Sequence, residues 1–189
     1  MGRSDCQKAF RSPGLHVGFT IIEAVIAIAF VGIIAALAMS RILRSDTYNA
    51  IIVRDQVISL SRAAQQRSIG RSDLVLTLSP AGNNLDIQVE DENGVIQRAS
   101  LDLRGVTLTA DVNELDSCTS TPGADALTTS NDLVLEFDEL GDLLEGGVTG
   151  SVAYPETVTS GARLCINGDP ARSICWSASG YAYAGDCVD

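Results

Sequence analysis

The chain has 189 residues, 46% of them apolar, and a formal charge of −11, which is length enough for one globular domain and an appendage. The charge is unevenly placed: residues 40–71 carry six arginines against two aspartates, a net +4, whereas residues 72–189 carry four arginines against twenty carboxylates, a net −16. Phosphate backbones are bound by clustered Lys and Arg, so the acidic C-terminal part argues against a nucleic-acid partner and for an ordinary solvated surface.

Residues 1–18 carry Arg3, Lys8, Arg11 and His16, with Ser12, Pro13 and Gly14 interrupting any helix. A secretory signal places its apolar region before the cut. Here the order is reversed, because the basic stretch ends at Gly18 and the apolar run begins at once. Residues 1–18 are therefore expected to be a leader. The run from Phe19 to Met39 has Glu23 as its sole charge, and about 20 apolar residues span a bilayer as a helix. The expectation for 19–39 is a transmembrane helix rather than a buried core helix, which is rarely apolar on all sides over such a length. Basic residues flank both ends, so the positive-inside rule leaves the orientation open. Cysteines further along the chain point to an oxidising compartment for the C-terminal part.

After this run, Ala50, Val53, Val57, Leu60 and Ala64 recur at three- and four-residue intervals, the spacing of one helical face. Residues 40–71 are thus expected to continue the helix as an amphipathic stem that ends near Ile69, with Gly70 as terminator. A continuous helix from Phe19 to Ile69 would be a rod on the order of 75 Å long. Its apolar face would pack on the domain that follows.

From residue 72 the pattern becomes alternating and turn-rich. Leu74, Leu76 and Leu78, then Leu85, Ile87 and Val89, alternate with other residues as in half-buried strands, and Ala81–Asn84 and Glu92–Gly94 supply turn residues. Further strands are expected over Val106–Val112, Leu133–Phe137, Ala162–Ile166, Ser173–Ser177 and Tyr181–Ala184, and Asp116–Asp132 reads as a long loop. The fold class is accordingly α+β: a long N-terminal transmembrane and amphipathic α-helix packed on a C-terminal antiparallel, sandwich-like β-sheet head over 72–189.

With Cys6 in the leader, Cys118, Cys165, Cys175 and Cys187 remain. They are even in number, widely spaced and without a Cys-x-x-Cys pair, which reads as two disulfides rather than a zinc site. Three pairings are open. One has Cys165 and Cys175 bridging a hairpin, which leaves Cys118 with Cys187. No catalytic residues, metal ligands or cofactor are assigned. His16 is the only histidine and would leave with the leader, so no Ser-His or Cys-His pair is available. Glu136, Asp138, Glu139 and Asp142 cluster at one turn and read as solvated carboxylates. Asp91-Glu92-Asn93-Gly94 resembles part of a calcium loop without its spaced ligands. Trp176, Tyr181 and Tyr183 read first as core aromatics and second as a binding surface.

The string Gly18-Phe19-Thr20-Ile21-Ile22-Glu23, followed by the apolar run, closely resembles the type III signal of type IV pilins and type II secretion pseudopilins. The resemblance implies cleavage by prepilin peptidase after Gly18 and methylation of Phe19. It also implies a role in assembly for Glu23, as the partner of a neighbouring subunit's N-terminal amine. Gly32 matches the family's helix-loosening glycine, while Ser40 stands where major pilins often have proline. The run Leu133–Gly141, Ala162–Ile166 and the terminal Ser-Gly-Tyr-Ala-Tyr segment resemble the GspH/FimT group of minor pilins. That group's DNA-binding members carry a Gly-Arg-x-Arg motif where this chain has Gly180-Tyr181-Ala182-Tyr183. The resemblance implies a single-pass bacterial inner-membrane protein with a periplasmic head, assembled into a pilus or pseudopilus. Its implied partners are the peptidase, other pilins or pseudopilins and the inner-membrane assembly platform. The alternative is a tip-located ligand- or DNA-binding minor pilin, and a third reading is a plain membrane-anchored periplasmic protein.

Overall fold

In the computed structural model, residues 20–42, 45–113, 118, 125–167 and 169–187 are described. The chain divides into two compact units, residues 1–43 and 44–189.

The first unit contains helix α1, Ile21–Ile42. The side chains described for it are exposed on every face, among them Ile21 at 86%, Ile28 at 72% and Phe30 at 62%. Among the described residues no helix is long and apolar enough to cross a membrane. This corrects the transmembrane helix expected over 19–39 and the single-pass inner-membrane placement built on it. The physical reason lies in the spacing of charges. Glu23 and Arg41 leave only Ala24–Ser40, 17 residues, uncharged between them, the lower limit of the roughly 17–25 that a span uses.

The second unit holds helix α2, Ser45–Ser68, and, among the described residues, eleven strands. The single long helix packed on a head is therefore also corrected: the described residues form two helices of moderate length in two units, and α2 is part of the unit formed by the sheets. The expected apolar face of α2 is found. Ala50, Val53, Val57 and Ala64 are buried in the core and Leu60 packs against it. Helix α2 ends one residue before Ile69, and Gly70 takes a positive φ of 78° while its N–H donates to the Glu139 carbonyl, the C-terminal geometry that glycine adopts without a Cβ penalty.

One sheet, called sheet A, has six strands in the order β3-β2-β1-β6-β7-β8, comprising β1 Leu74–Ala81, β2 Asn84–Asp91, β3 Gly94–Asp102, β6 Leu133–Phe137, β7 Leu143–Val148 and β8 Glu156–Thr157. Sheet B has five in the order β11-β10-β9-β4-β5, comprising β4 Leu108–Val112, β5 Asp125–Ala126, β9 Gly161–Ile166, β10 Asp169–Ser177 and β11 Ala182–Ala184. Every pairing is antiparallel. Leu74, Leu76 and Leu78 of β1 and Leu85, Ile87 and Val89 of β2 are buried with the apolar stripe of α2, together with Leu133, Leu135 and Phe137 of β6 and Leu164, Ile174 and Trp176 from sheet B. The core thus sits among the inner face of sheet A, α2 and sheet B. The alternate residues of β1, beginning with Val75, face away from it.

Both disulfides are present, but the hairpin pairing is corrected to Cys118–Cys165 and Cys175–Cys187, with Cα separations of 5.7 and 5.3 Å. The register explains why. Cys175 stands opposite Arg163 rather than Cys165, and Cys165 stands opposite Thr109 on its other side. Cys165 therefore ties residue 118 to β9, and Cys175 ties the segment after β11 to β10.

Candidate functional site

Of the N-terminal motif, Gly18, Phe19 and the whole leader lie outside the described residues. Glu23 lies in the first turn of α1, where its backbone N–H donates to the Thr20 carbonyl at 3.0 Å and to Thr20 Oγ1 at 3.3 Å. Thr20 is thereby the N-cap, and Thr-x-x-Glu is the spacing of a capping box. A carboxylate in the first turn also complements the positive end of the helix dipole. Glu23 thus has a local reason to be acidic. An added Cβ at Gly32 would meet nothing within 4 Å. No contact requires glycine there, and α1 runs through it to Ile42 without interruption.

A second candidate surface lies on the sheet-bearing unit, between α2 and β11. Trp176 is fully buried, as the core reading expects, but Tyr181 is 48% exposed. Arg62 reaches across from α2, donating its Nε–H to the Ala182 carbonyl at 2.8 Å, and its guanidinium lies 4.6 Å from the Tyr181 ring centroid. Such a cation over an aromatic face is attracted by the ring quadrupole. The rings of Tyr181, just before β11, and Tyr183, within it, stack with 6.5 Å between centroids. One turn further along α2, Gln65 donates to the Ser179 carbonyl at 2.7 Å and holds the turn that precedes Tyr181. Beside this cluster runs a groove of about 620 Å³ lined by Asp55, Ile58, Ser59, Arg62, Ala63, Gln66 and Ala184.

The outer face of sheet A has the opposite character. The register places Glu90 of β2 opposite Val75, Val75 opposite Glu136, and Glu136 opposite Glu145. One row across four strands thus carries three glutamates. Like charges directly opposite one another destabilise a sheet. Burial, then the charges of Glu145 and Asp73, push the Glu136 carboxyl above the usual glutamate range. Sequence reading missed this row because Glu136 and Glu145 meet only through the β6–β7 register.

Other acidic residues singled out in the sequence serve turns. Asp138 Oδ1 accepts the N–H groups of Leu140 and Asp142 at 2.8 and 2.9 Å. Asp91 Oδ1 accepts the Asn93 N–H at 2.8 Å, and its Oδ2 lies 3.3 Å from Arg71 Nη1. Among the described residues no group of three or more His, Cys, Asp or Glu side chains is placed to hold a metal ion. Arg163, which gave no signal in the sequence, is 1% exposed and faces Asp111 across β4 and β9 at 3.9 Å. Asn113, at a positive φ of 65°, accepts the N–H groups of Thr159 and Ser160 at 2.6 and 3.1 Å and pins the start of β9.

Comparison of the chain with protein-family models, with curated proteins and with solved structures finds no match.

Proposed function

We propose that this chain is a minor pilin or pseudopilin, a structural subunit of a type IV pilus or type II secretion pseudopilus. Prepilin peptidase cuts it between Gly18 and Phe19, Phe19 is methylated, and the protein assembles through its N-terminal helix. The observation that carries the reading is α1: a capped helix with Glu23 in its first turn whose apolar side chains stand exposed on every described face. A helix apolar all round must be covered, and contiguous exposed apolar surface marks an interaction site. Other pilins or pseudopilins supply that cover in this reading, with the assembly platform as the further partner. The role is packing rather than catalysis: without the leader the chain has no histidine, and Asp91 and Asp138 are committed to turns.

Gly18→Ala tests the cleavage. The variant should accumulate as uncut precursor when produced with a prepilin peptidase, and normal processing would sink the assignment. Glu23→Gln should be cut normally and enter filaments poorly. The exposed Tyr181 beneath Arg62 favours a second reading, a tip subunit that binds a ligand. A gel-shift titration with DNA probes one form of it, and the −16 charge of residues 72–189 predicts no retention.

A further inference from the structure

The sheet-bearing unit carries two surfaces of opposite chemistry that cannot meet within one copy. Helix α2 shares its core with Leu74, Leu76 and Leu78, the inner residues of β1, whereas the glutamate row is in register with Val75, on the other face of the same strand. The Arg62 groove therefore lies on one side of sheet A and the row Glu90, Glu136 and Glu145 on the other.

Each surface offers its own chemistry to a partner. Arg62 uses its Nε–H on the Ala182 carbonyl. Among the described residues its two Nη groups, the Ser59 hydroxyl and the Gln66 amide have no hydrogen-bond partner, though all three residues line the groove. A guanidinium with free Nη donors is matched to a carboxylate. Asp55, the groove's own carboxylate, lies 2.8 Å from Arg54. On the far side, Glu136 and Glu145 face each other across β6 and β7 with no arginine in their row. Arg98 stands one pair along, opposite Gln88. Burial and neighbouring negative charge raise the Glu136 carboxyl, so an incoming cation would relieve a repulsion that the isolated fold retains.

We infer that these surfaces pair between copies: the α2–β11 groove of one molecule, through Arg62, receives the Glu136–Glu145 row of the next. The inference rests on the filament reading and deepens it by naming a lateral contact apart from α1. Because each surface recognises a different one, the contact is heterologous. Such contacts close into rings or propagate as open helical filaments. A contact built on one arginine and a short glutamate row supplies register and orientation, while α1 supplies most of the buried area.

The test is a charge swap in the full chain, held in non-ionic detergent to mask α1 and followed by sedimentation velocity. Arg62→Glu alone, and Glu136→Lys with Glu145→Lys, should each lower the self-association constant at least tenfold, with far-UV circular dichroism and melting confirming that both variants fold. Mixing the two should restore association, since every groove then finds a row of opposite charge. A parent chain that shows no self-association under these conditions, unchanged self-association in either variant, or no recovery on mixing overturns the contact. A chain whose N-terminus is never processed but whose swap recovers would instead sink the filament reading and leave the contact standing.

Discussion

Helices α1 and α2 have nearly the same length, 22 and 24 residues, yet obtain their burial in opposite ways. Helix α2 has one apolar stripe, Ala50, Val53, Val57 and Ala64, and covers it within its own unit against the sheets. Helix α1 is apolar all round and leaves its described side chains exposed. Helical stability in proteins comes mainly from packing an apolar face. One helix is therefore covered within its own unit, and the other leaves its described apolar side chains uncovered.

The largest effects that sharpen this contrast should come from the staples, which belong to the sheet-bearing unit alone. Cys118–Cys165 spans 47 residues and Cys175–Cys187 spans 12. From loop-closure entropy, replacing each pair by alanine should cost about 4 and about 3 kcal/mol respectively, read by denaturant unfolding. Next comes the core. Leu76→Ala, at a fully buried position, should destabilise by about 3 kcal/mol. The comparable Ile28→Ala on α1 should change unfolding of the sheets by less than about 0.5 kcal/mol while weakening assembly. Equal losses at the two sites would break the comparison.

Much of the completed part was legible in the sequence, and the reasons are local. The stripe on α2 follows from spacing alone, and β1, β2 and β6 alternate cleanly with one face buried. Strand β3 was missed because Gln97, Arg98 and Ser100 occupy an edge strand in which only Leu101 is buried. Strand β7 was missed because Gly146-Gly147 reads as a turn. A Cβ at Gly146 would lie 2.9 Å from both the Leu135 side chain and the Val134 carbonyl, so glycine is required there by close packing inside a sheet. Disulfide pairing and the glutamate row depend on strand register, which periodicity does not encode. The apolar run is legible as apolar, but its 17 uncharged residues between Glu23 and Arg41 stand at the lower limit of a span.

Smaller effects probe the two helices and the acidic face. Thr20→Ala removes the N-cap of α1 and should cost about 1 kcal/mol of helix stability, seen as reduced helicity with melting of the sheets unchanged. Glu136→Gln should stabilise the sheet-bearing unit by about 0.5 kcal/mol at neutral pH, the scale of a cross-strand like-charge pair. Because the folded-state pKa of Glu136 is raised above its unfolded value, the native protein binds its proton more tightly. Stability from this group is full below the unfolded glutamate pKa and is lost as pH rises through the folded one. The advantage of the glutamine variant should therefore vanish in acid, and a gain that persists at low pH would place its origin elsewhere.

The central claim, that α1 is a helix prepared for assembly, is tested most directly by mass spectrometry of the N-terminus after production with a prepilin peptidase. The account predicts a chain that begins at Phe19 and carries one added methyl group. A chain that retains Met1–Gly18, or one cut at any other bond, would contradict it.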